Sequence, residues 1–450
     1  MVREKPQGPR VFATHLVDAL RHRHRGDRAA AQCCALALRI TGLFIPQLAR
    51  SYQGRPVSRS RMRGVTVAPV SALLLLLVVL GLAQAAPQTK PFKVGEKVET
   101  NLVFARGVEH AEIITSPKAS YIAVQFSDYR VNDGDLVIVR SPDAATAFMY
   151  GVEGVERQSN FMAGLVPGES AVIEYIPGGN ATSSPSAPAF RISSYSRGFP
   201  DGAQTESVCG VDSMVQAKCF APGQPLAGAR PLAYERGLAV ARLLVEGSHA
   251  CTGWLFGSAG HLMTNAHCVA DEAMANKMQV EMAAESGSCG QTCEGWLACR
   301  GQTVAMTTTL VARNPTHDYA VLKLPDSADL WPYGYLTLRR DGGKLNEEIY
   351  IPNHSKAWGK RVSYIQDDGR HVFIDNFSEA GTCARNGLRF MGDIVGGASG
   401  SPVIAASDNR VLGLVSCSGV CESPHLDVAE DIRLIIADME SKGVYIPDAY

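Results

Sequence analysis

Short runs in which apolar and polar residues alternate with a period of two recur along much of the chain, and they constrain its fold more than any other feature. In Tyr121-Ile-Ala-Val-Gln-Phe126, the side chains of Ile122, Val124 and Phe126 share one face. Asp133-Gly134-Asp135 marks a turn before Leu136-Val-Ile-Val139, and Pro167-Gly168 marks another before Ala171-Val-Ile-Glu-Tyr-Ile176. Strand-like runs return at Ala239–Val245, Tyr319–Leu324 and Val411–Val415. The end differs: Ile432, Ile435, Ile436 and Met439 fall on one helical face of Asp427–Ser441, and Asp427 can cap its start. The pattern predicts an all-β protein with a C-terminal helix.

A chain of 450 residues implies two or three domains, and 46% hydrophobic against 19% charged residues is enough to build cores. The formal net charge of −1 averages unlike parts. Residues 1–63 carry 13 basic and 3 acidic side chains, residues 64–85 carry none, and residues 86–450 carry 30 basic against 41 acidic, a net of −11. That acidity argues against nucleic acid as a partner, because phosphate contacts need clustered Arg and Lys. Residues 88–192 lack cysteine, and their short strands suggest an antiparallel sandwich or barrel. They show no aromatic cluster or metal motif, and Pro177–Pro188 reads as a linker or long loop.

The apolar run Val70–Leu82 follows Met62-Arg63 and ends in Ala83-Gln84-Ala85, the layout of a secretory signal cut after Ala85. The basic, proline-spotted residues 1–61 precede it, and a start at Met62 would leave them out of the protein. The rival is a signal anchor, since Val65–Ala86 gives 22 largely uncharged residues. Ten of the twelve cysteines lie beyond the cut, an even number that favours disulfides in an exported chain. Sequons at Asn180, Asn353 and Asn376 fit the same compartment.

Three segments carry chemistry together: Met263-Thr-Asn-Ala-His267-Cys268, Thr316-His-Asp318-Tyr-Ala, and Gly396-Gly-Ala-Ser399-Gly-Ser-Pro402. An alcohol is a weak nucleophile near neutral pH and needs an imidazole to take its proton. The imidazole needs an acid behind it to fix its tautomer. Glycines beside the serine let the backbone turn sharply and aim N–H groups at a developing oxyanion. Each segment alone is a weak signal; the three in the order His, Asp, Ser are a strong one.

These segments resemble those of the chymotrypsin-like (trypsin-fold) serine peptidases over residues 236–445, and Gly413-Leu-Val-Ser-Cys417 resembles the strand lining that family's specificity pocket. The resemblance implies a double antiparallel β-barrel with a C-terminal helix, preceded by a smaller β-sandwich-like domain. It divides the chain into a basic extension (1–61), signal peptide (62–85), β-rich domain (86–192), a linker carrying Cys209 and Cys219 (193–235) and a peptidase domain (236–450). By position, His267 is the general base, Asp318 the orienting acid and Ser399 the nucleophile, with the Gly397 and Ser399 N–H groups as oxyanion donors. Ser401 is the rival nucleophile, and His317 and His261 read as loop or surface residues. Acyl transfer of this kind needs protein or peptide substrates and no metal or cofactor, and no stable membrane association follows from it.

A closer resemblance is to the secreted lysyl-endopeptidase-like branch, through the Gly-Ala-Ser-Gly-Ser-Pro motif and Lys360-Arg-Val-Ser363. In that branch a β-rich N-terminal region can be removed. Two departures from the trypsin pattern stand out. Ala398 replaces the acid that receives a new N-terminus on activation, and Val395 replaces a pocket cysteine. Asp393, six residues before Ser399, occupies the place of the pocket carboxylate that selects Lys or Arg; the alternative is a solvated turn. Ser416 would offer its carbonyl to the substrate backbone. The resemblance pairs Cys251 with Cys268, Cys209 with the 417/421 region and Cys219 with the 289–299 region, against a local Cys209–Cys219 pair. Cys289, Cys293 and Cys299 lack the histidine or C-x2-C pair of a zinc site. Two other classes compete: a catalytically silent homologue that binds or inhibits a partner, and a binding module at 88–192 with the peptidase as accessory.

Overall fold

The computed structural model of the chain describes residues 90–179, 187–200, 208, 210–377, 387–417 and 427–450. Almost every alternating run becomes a strand, and four antiparallel sheets result. Two of them face each other across the aromatic core of the N-terminal region. One joins Gly95–Ala105, Pro188–Gly198, Tyr121–Ser127 and Phe161–Met162; the other joins His110–Thr115, Ser170–Ile176, Leu136–Arg140 and Ala147–Tyr150. Between them Phe104, Phe126, Tyr129, Tyr150, Phe161 and Phe190 are buried in ring contact, with centroids 4.4 Å apart for Phe104 and Phe190. This aromatic cluster was invisible in the sequence because its members are scattered along it. Being buried, it is a core and no ligand platform.

The strand Tyr121–Ser127 departs from its alternating pattern, since Tyr121 to Phe126 are all buried. Ile122, Val124 and Phe126 face the aromatic core, as the period implies. Tyr121 packs instead with Leu244, Ala250 and Trp296, and its hydroxyl donates to Gly247 O at 2.9 Å. The strand is covered on both sides, once by its own partner sheet and once by the following region. The strand Pro188–Gly198 likewise runs past residue 192, pairing with both Gly95–Ala105 and Tyr121–Ser127.

Two eight-stranded sheets make up the rest. In the first, Val240–Val245, His249–Phe256, His261–Thr264 and Tyr319–Lys323 are successive neighbours, and the short strand Phe92–Lys93 adds to the edge at His249 and Ala250. In the second, Arg361–Ser363, Ile349–Asn353, Pro402–Ala405, Val411–Cys417 and Asp427–Asp431 are neighbours in that order. The fold is therefore all-β and chymotrypsin-like, closed by the helix Ile432–Ser441 with Ile432, Ile435, Ile436 and Met439 buried. Its cap is Asp431, which accepts the Arg433 N–H at 2.9 Å, and not Asp427. Residues 427–431 extend to pair with Val411–Cys417 and Leu388–Phe390, so the helix starts later than its period suggested. The described residues form one compact unit. No helix among the described residues is long and apolar enough to cross a membrane, and the apolar run Val70–Leu82 lies outside them.

Candidate active site

His267 sits in the turn after the strand His261–Thr264, and Asp318 ends the turn just before the neighbouring strand Tyr319–Lys323. Cys268 is disulfide-bonded to Cys251 on the adjacent strand, which fixes the turn to the sheet. Asn265 fixes it again, donating its amide to Asp318 O at 2.8 Å. The Asp318 carboxylate accepts three hydrogen bonds: from His267 N–H at 2.9 Å, from His267 Nδ1 at 2.7 Å, and from the Ser416 hydroxyl at 2.7 Å. A carboxylate accepts, so Nδ1 carries the ring proton and Nε2 is left with its lone pair. Nε2 is buried and has no hydrogen-bond partner among the described residues.

Ser399 is half-buried at the turn between Gly396 and Pro402. It is tied to the histidine segment through Thr252: the Thr252 N–H donates to Ser399 O at 2.8 Å, and the Thr264 hydroxyl donates to Thr252 O at 2.8 Å. Gly397 has a left-handed backbone (φ 95°), and a Cβ there would lie 2.7 Å from His354 O, so only glycine fits. Neither the Gly397 nor the Ser399 N–H has an acceptor among the described residues. Ser401, the rival nucleophile, is fully buried and its hydroxyl donates to Ala398 O at 2.6 Å. His261 lies on a strand paired with Lys323, and His317 is half-buried next to Asp318.

Asp393 is 8% exposed, so the solvated turn is overturned. Its Oδ2 accepts the Ser213 N–H at 2.6 Å, and burial, with Asp212, Asp367 and Asp427 adding charge, pushes its pKa up to about 6. Asp427, read from sequence as a helix cap, is fully buried and near enough to raise Asp393; only the register of its strand reveals this. The basic segment Lys360-Arg361 is internal as well. Lys360 Nζ donates to Gly237 O at 2.7 Å and pairs with Glu285 at 3.2 Å, while Arg361 pairs with Asp212 at 2.8 Å.

Cys219 joins Cys289, which removes the local Cys209–Cys219 alternative, and Cys293 joins Cys299. All three cysteines of the 289–299 run are thus oxidised and unable to bind zinc as thiolates. Cys417 is disulfide-bonded too; Cys209, Cys383 and Cys421 lie outside the described residues. Of the sequons, Asn180 lies outside the described residues and Asn376 is exposed. Asn353 is corrected: it is fully buried, with its amide donating to Ile351 O at 3.1 Å, and no glycan fits there.

The Trypsin-like peptidase domain family model matches residues 251–414, which contain His267, Asp318 and Ser399. The chain belongs to the trypsin-like peptidase family. A curated relative, Secreted RxLR effector protein 73 of Plasmopara viticola, is 34% identical over 346 residues, 74% of this chain and 82% of that protein. Among solved structures, the active form of Rv3671c protease from M. tuberculosis is 17% identical, covers 54% of this trypsin-like chain and 94% of its own, and has a TM-score of 0.36. The HtrA-type protease AlgW with tripeptide is 20% identical, with 46% and 60% covered and a TM-score of 0.33.

Proposed function

We propose that this trypsin-like chain is a secreted serine endopeptidase that cleaves after Lys or Arg. The observation that carries the reading is the 2.7 Å contact between His267 Nδ1 and a buried Asp318 carboxylate that Ser416 also holds. It leaves Nε2 as the base. Ser399 Oγ attacks the scissile carbonyl carbon while its proton passes to His267 Nε2. The Gly397 and Ser399 N–H groups stabilise the oxyanion. The C–N bond then breaks, the His267 proton goes to the leaving amine, and an acyl-enzyme remains. Water attacks the acyl carbon, giving its proton to Nε2, and Ser399 leaves as the alcohol.

Asp393, with Asp427 beside it, supplies negative charge that favours a cationic side chain. Three disulfides among the described residues, and a relative named as secreted, support export through residues 62–85 as a signal peptide. A second reading is a silent homologue acting on a partner. It is favoured by the effector name of the Plasmopara relative and by the unpartnered His267 Nε2.

Intact mass before and after a small fluorophosphonate separates the two readings. Labelling of wild type and not of Ser399→Ala is the expected result for an activated nucleophile. A folded, unlabelled wild type favours the silent homologue.

A further inference from the structure

The peptide units that present the oxyanion donors are held from behind. A trans peptide unit points its C=O and N–H in opposite directions, so a pinned carbonyl aims the N–H. The Gly396–Gly397 unit has its carbonyl bonded by the Lys356 N–H at 2.6 Å. The Ala398–Ser399 unit has its carbonyl bonded by the Ser401 hydroxyl at 2.6 Å and the Ser401 N–H at 2.9 Å. The carbonyl of Gly397 accepts the Thr252 hydroxyl at 2.8 Å. With the Gly396 and Ala398 carbonyls turned into the protein, the Gly397 and Ser399 N–H groups are turned out of it. The Gly397 carbonyl holds the unit between them, whose Ala398 N–H donates to Val395 O at 3.0 Å.

The pins on Gly396 and Gly397 come from one loop and one strand residue. Thr252 is fully buried. Its hydroxyl donates to Gly397 O and accepts the His354 N–H at 3.1 Å. The Ser355 hydroxyl accepts the Val395 N–H at 3.2 Å. Lys356 and Ala357 follow in left-handed backbone (φ 59° and 55°), which L side chains seldom adopt. They are held there from the far side, where Ala357 O accepts Arg242 Nη1 at 3.2 Å and the Leu297 N–H at 3.1 Å. Arg242 is 1% exposed and paired with Glu281 at 2.7 Å, so this anchor is itself fixed.

We infer that the loop His354–Trp358, tied in by Thr252 and Ser355, is a built-in brace that forms the oxyanion hole in the uncut chain, so that reaction at Ser399 needs no new N-terminus. The inference rests on the peptidase reading of Ser399. Ala398 offers no acid for a released terminus and Val395 no sulfur for a pocket disulfide. The brace stands at both places, against Gly396 and Gly397 on one side of Ala398 and against the Val395 N–H itself. Thr252 and Ser355 are positioning residues, acting on substrate only through the serine loop.

The test compares the uncut full-length chain with a sample nicked by limited proteolysis. Each is treated with a small fluorophosphonate and assayed on a Lys thioester, beside Thr252→Val and Ser355→Ala. The uncut wild type is expected to react within about twofold of the nicked form. Each variant is expected to lose on the order of 100-fold in kcat, the scale of one lost oxyanion donor, with KM nearly unchanged. Affinity for a peptide boronic acid should fall in parallel, which a merely structural role would not produce. An inert uncut chain that reacts once nicked overturns the brace and leaves the peptidase reading standing. Inert chains in both states overturn the reading of Ser399, and the brace with it. Wild-type kcat per titrated site in both variants overturns the brace alone, and Ser355→Ala, the milder change, decides if Thr252→Val does not fold.

Discussion

Burial raises the pKa of two carboxyls into the range where pH is readily varied. Glu430 is fully buried, with both oxygens unpartnered among the described residues, and burial, followed by the charges of Asp318 and Asp431, pushes its pKa from 4.5 up to about 8. The folded chain therefore holds a proton that the unfolded chain loses as pH rises past 4.5, and stability falls with rising pH until about 8. Glu430→Gln should remove that slope and stabilise the fold by roughly 3 kcal/mol at pH 7. Urea midpoints measured from pH 5 to pH 8 check this, and parallel slopes for the two proteins would sink it. On the reading of Asp393 as the pocket acid, burial that pushes its pKa up to about 6 makes substrate binding pH-dependent. KM for a Lys substrate should rise as pH falls through that value, because the protonated acid no longer attracts the cation. Asp393→Asn should abolish the pH dependence and raise KM at pH 8; a wild-type profile in that variant would remove Asp393 from the pocket.

The strands show what the sequence could and could not disclose. Val137 and Val139 are buried and their neighbours in Leu136–Arg140 are not, because that strand has one wet face and its period survives in the sequence. The His267, Asp318 and Ser399 segments were legible for another reason: their chemistry demands particular residue types in particular order. Asp427–Asp431 was not legible, since a fully buried strand reading Asp-Val-Ala-Glu-Asp has neither alternation nor apolar bulk. Its acids are kept inside by tertiary contacts that periodicity does not see. The brace was hidden too, because Lys356 and His354 act through backbone N–H groups, which any residue supplies. The shifted helix start is testable at this scale. Asp431 accepts the Arg433 N–H and also pairs with the Arg433 side chain at 2.5 Å. Asp431→Ala should cost about 1 kcal/mol, a normal capping loss, measured by thermal melting. No loss would mean that the helix does not begin at Ile432.

At the scale of the whole molecule, the N-terminal sandwich and the two eight-stranded sheets share material that neither can give up cheaply. Val94, Tyr121 and Leu165 are buried in one cluster with Leu244, Ala250, Trp296, Leu297 and Ala357. Arg300 donates to Leu165 O at 2.9 Å, Leu165 N–H donates to Gln279 Oε1 at 3.2 Å, and Trp296 Nε1 donates to Pro200 O at 3.0 Å. The same cluster reaches the loop behind the serine segment, because Leu297 N–H and Ala357 O are bonded to each other behind Gly397. Stripping the sandwich away would leave Trp296 and Leu297 open to water and the Arg300 guanidinium without its carbonyl, while burial of apolar surface is the main force holding such parts together. A protease site inserted between residues 200 and 208 should therefore yield two fragments that coelute on size exclusion and keep labelling at Ser399. Deleting residues 90–199 outright should lower the melting temperature by several degrees, since each 1 kcal/mol is worth about 2–4 °C at this size. Fragments that separate after the cut, with the C-terminal part melting as before, would show that the shared cluster contributes nothing and that the sandwich is a removable leader.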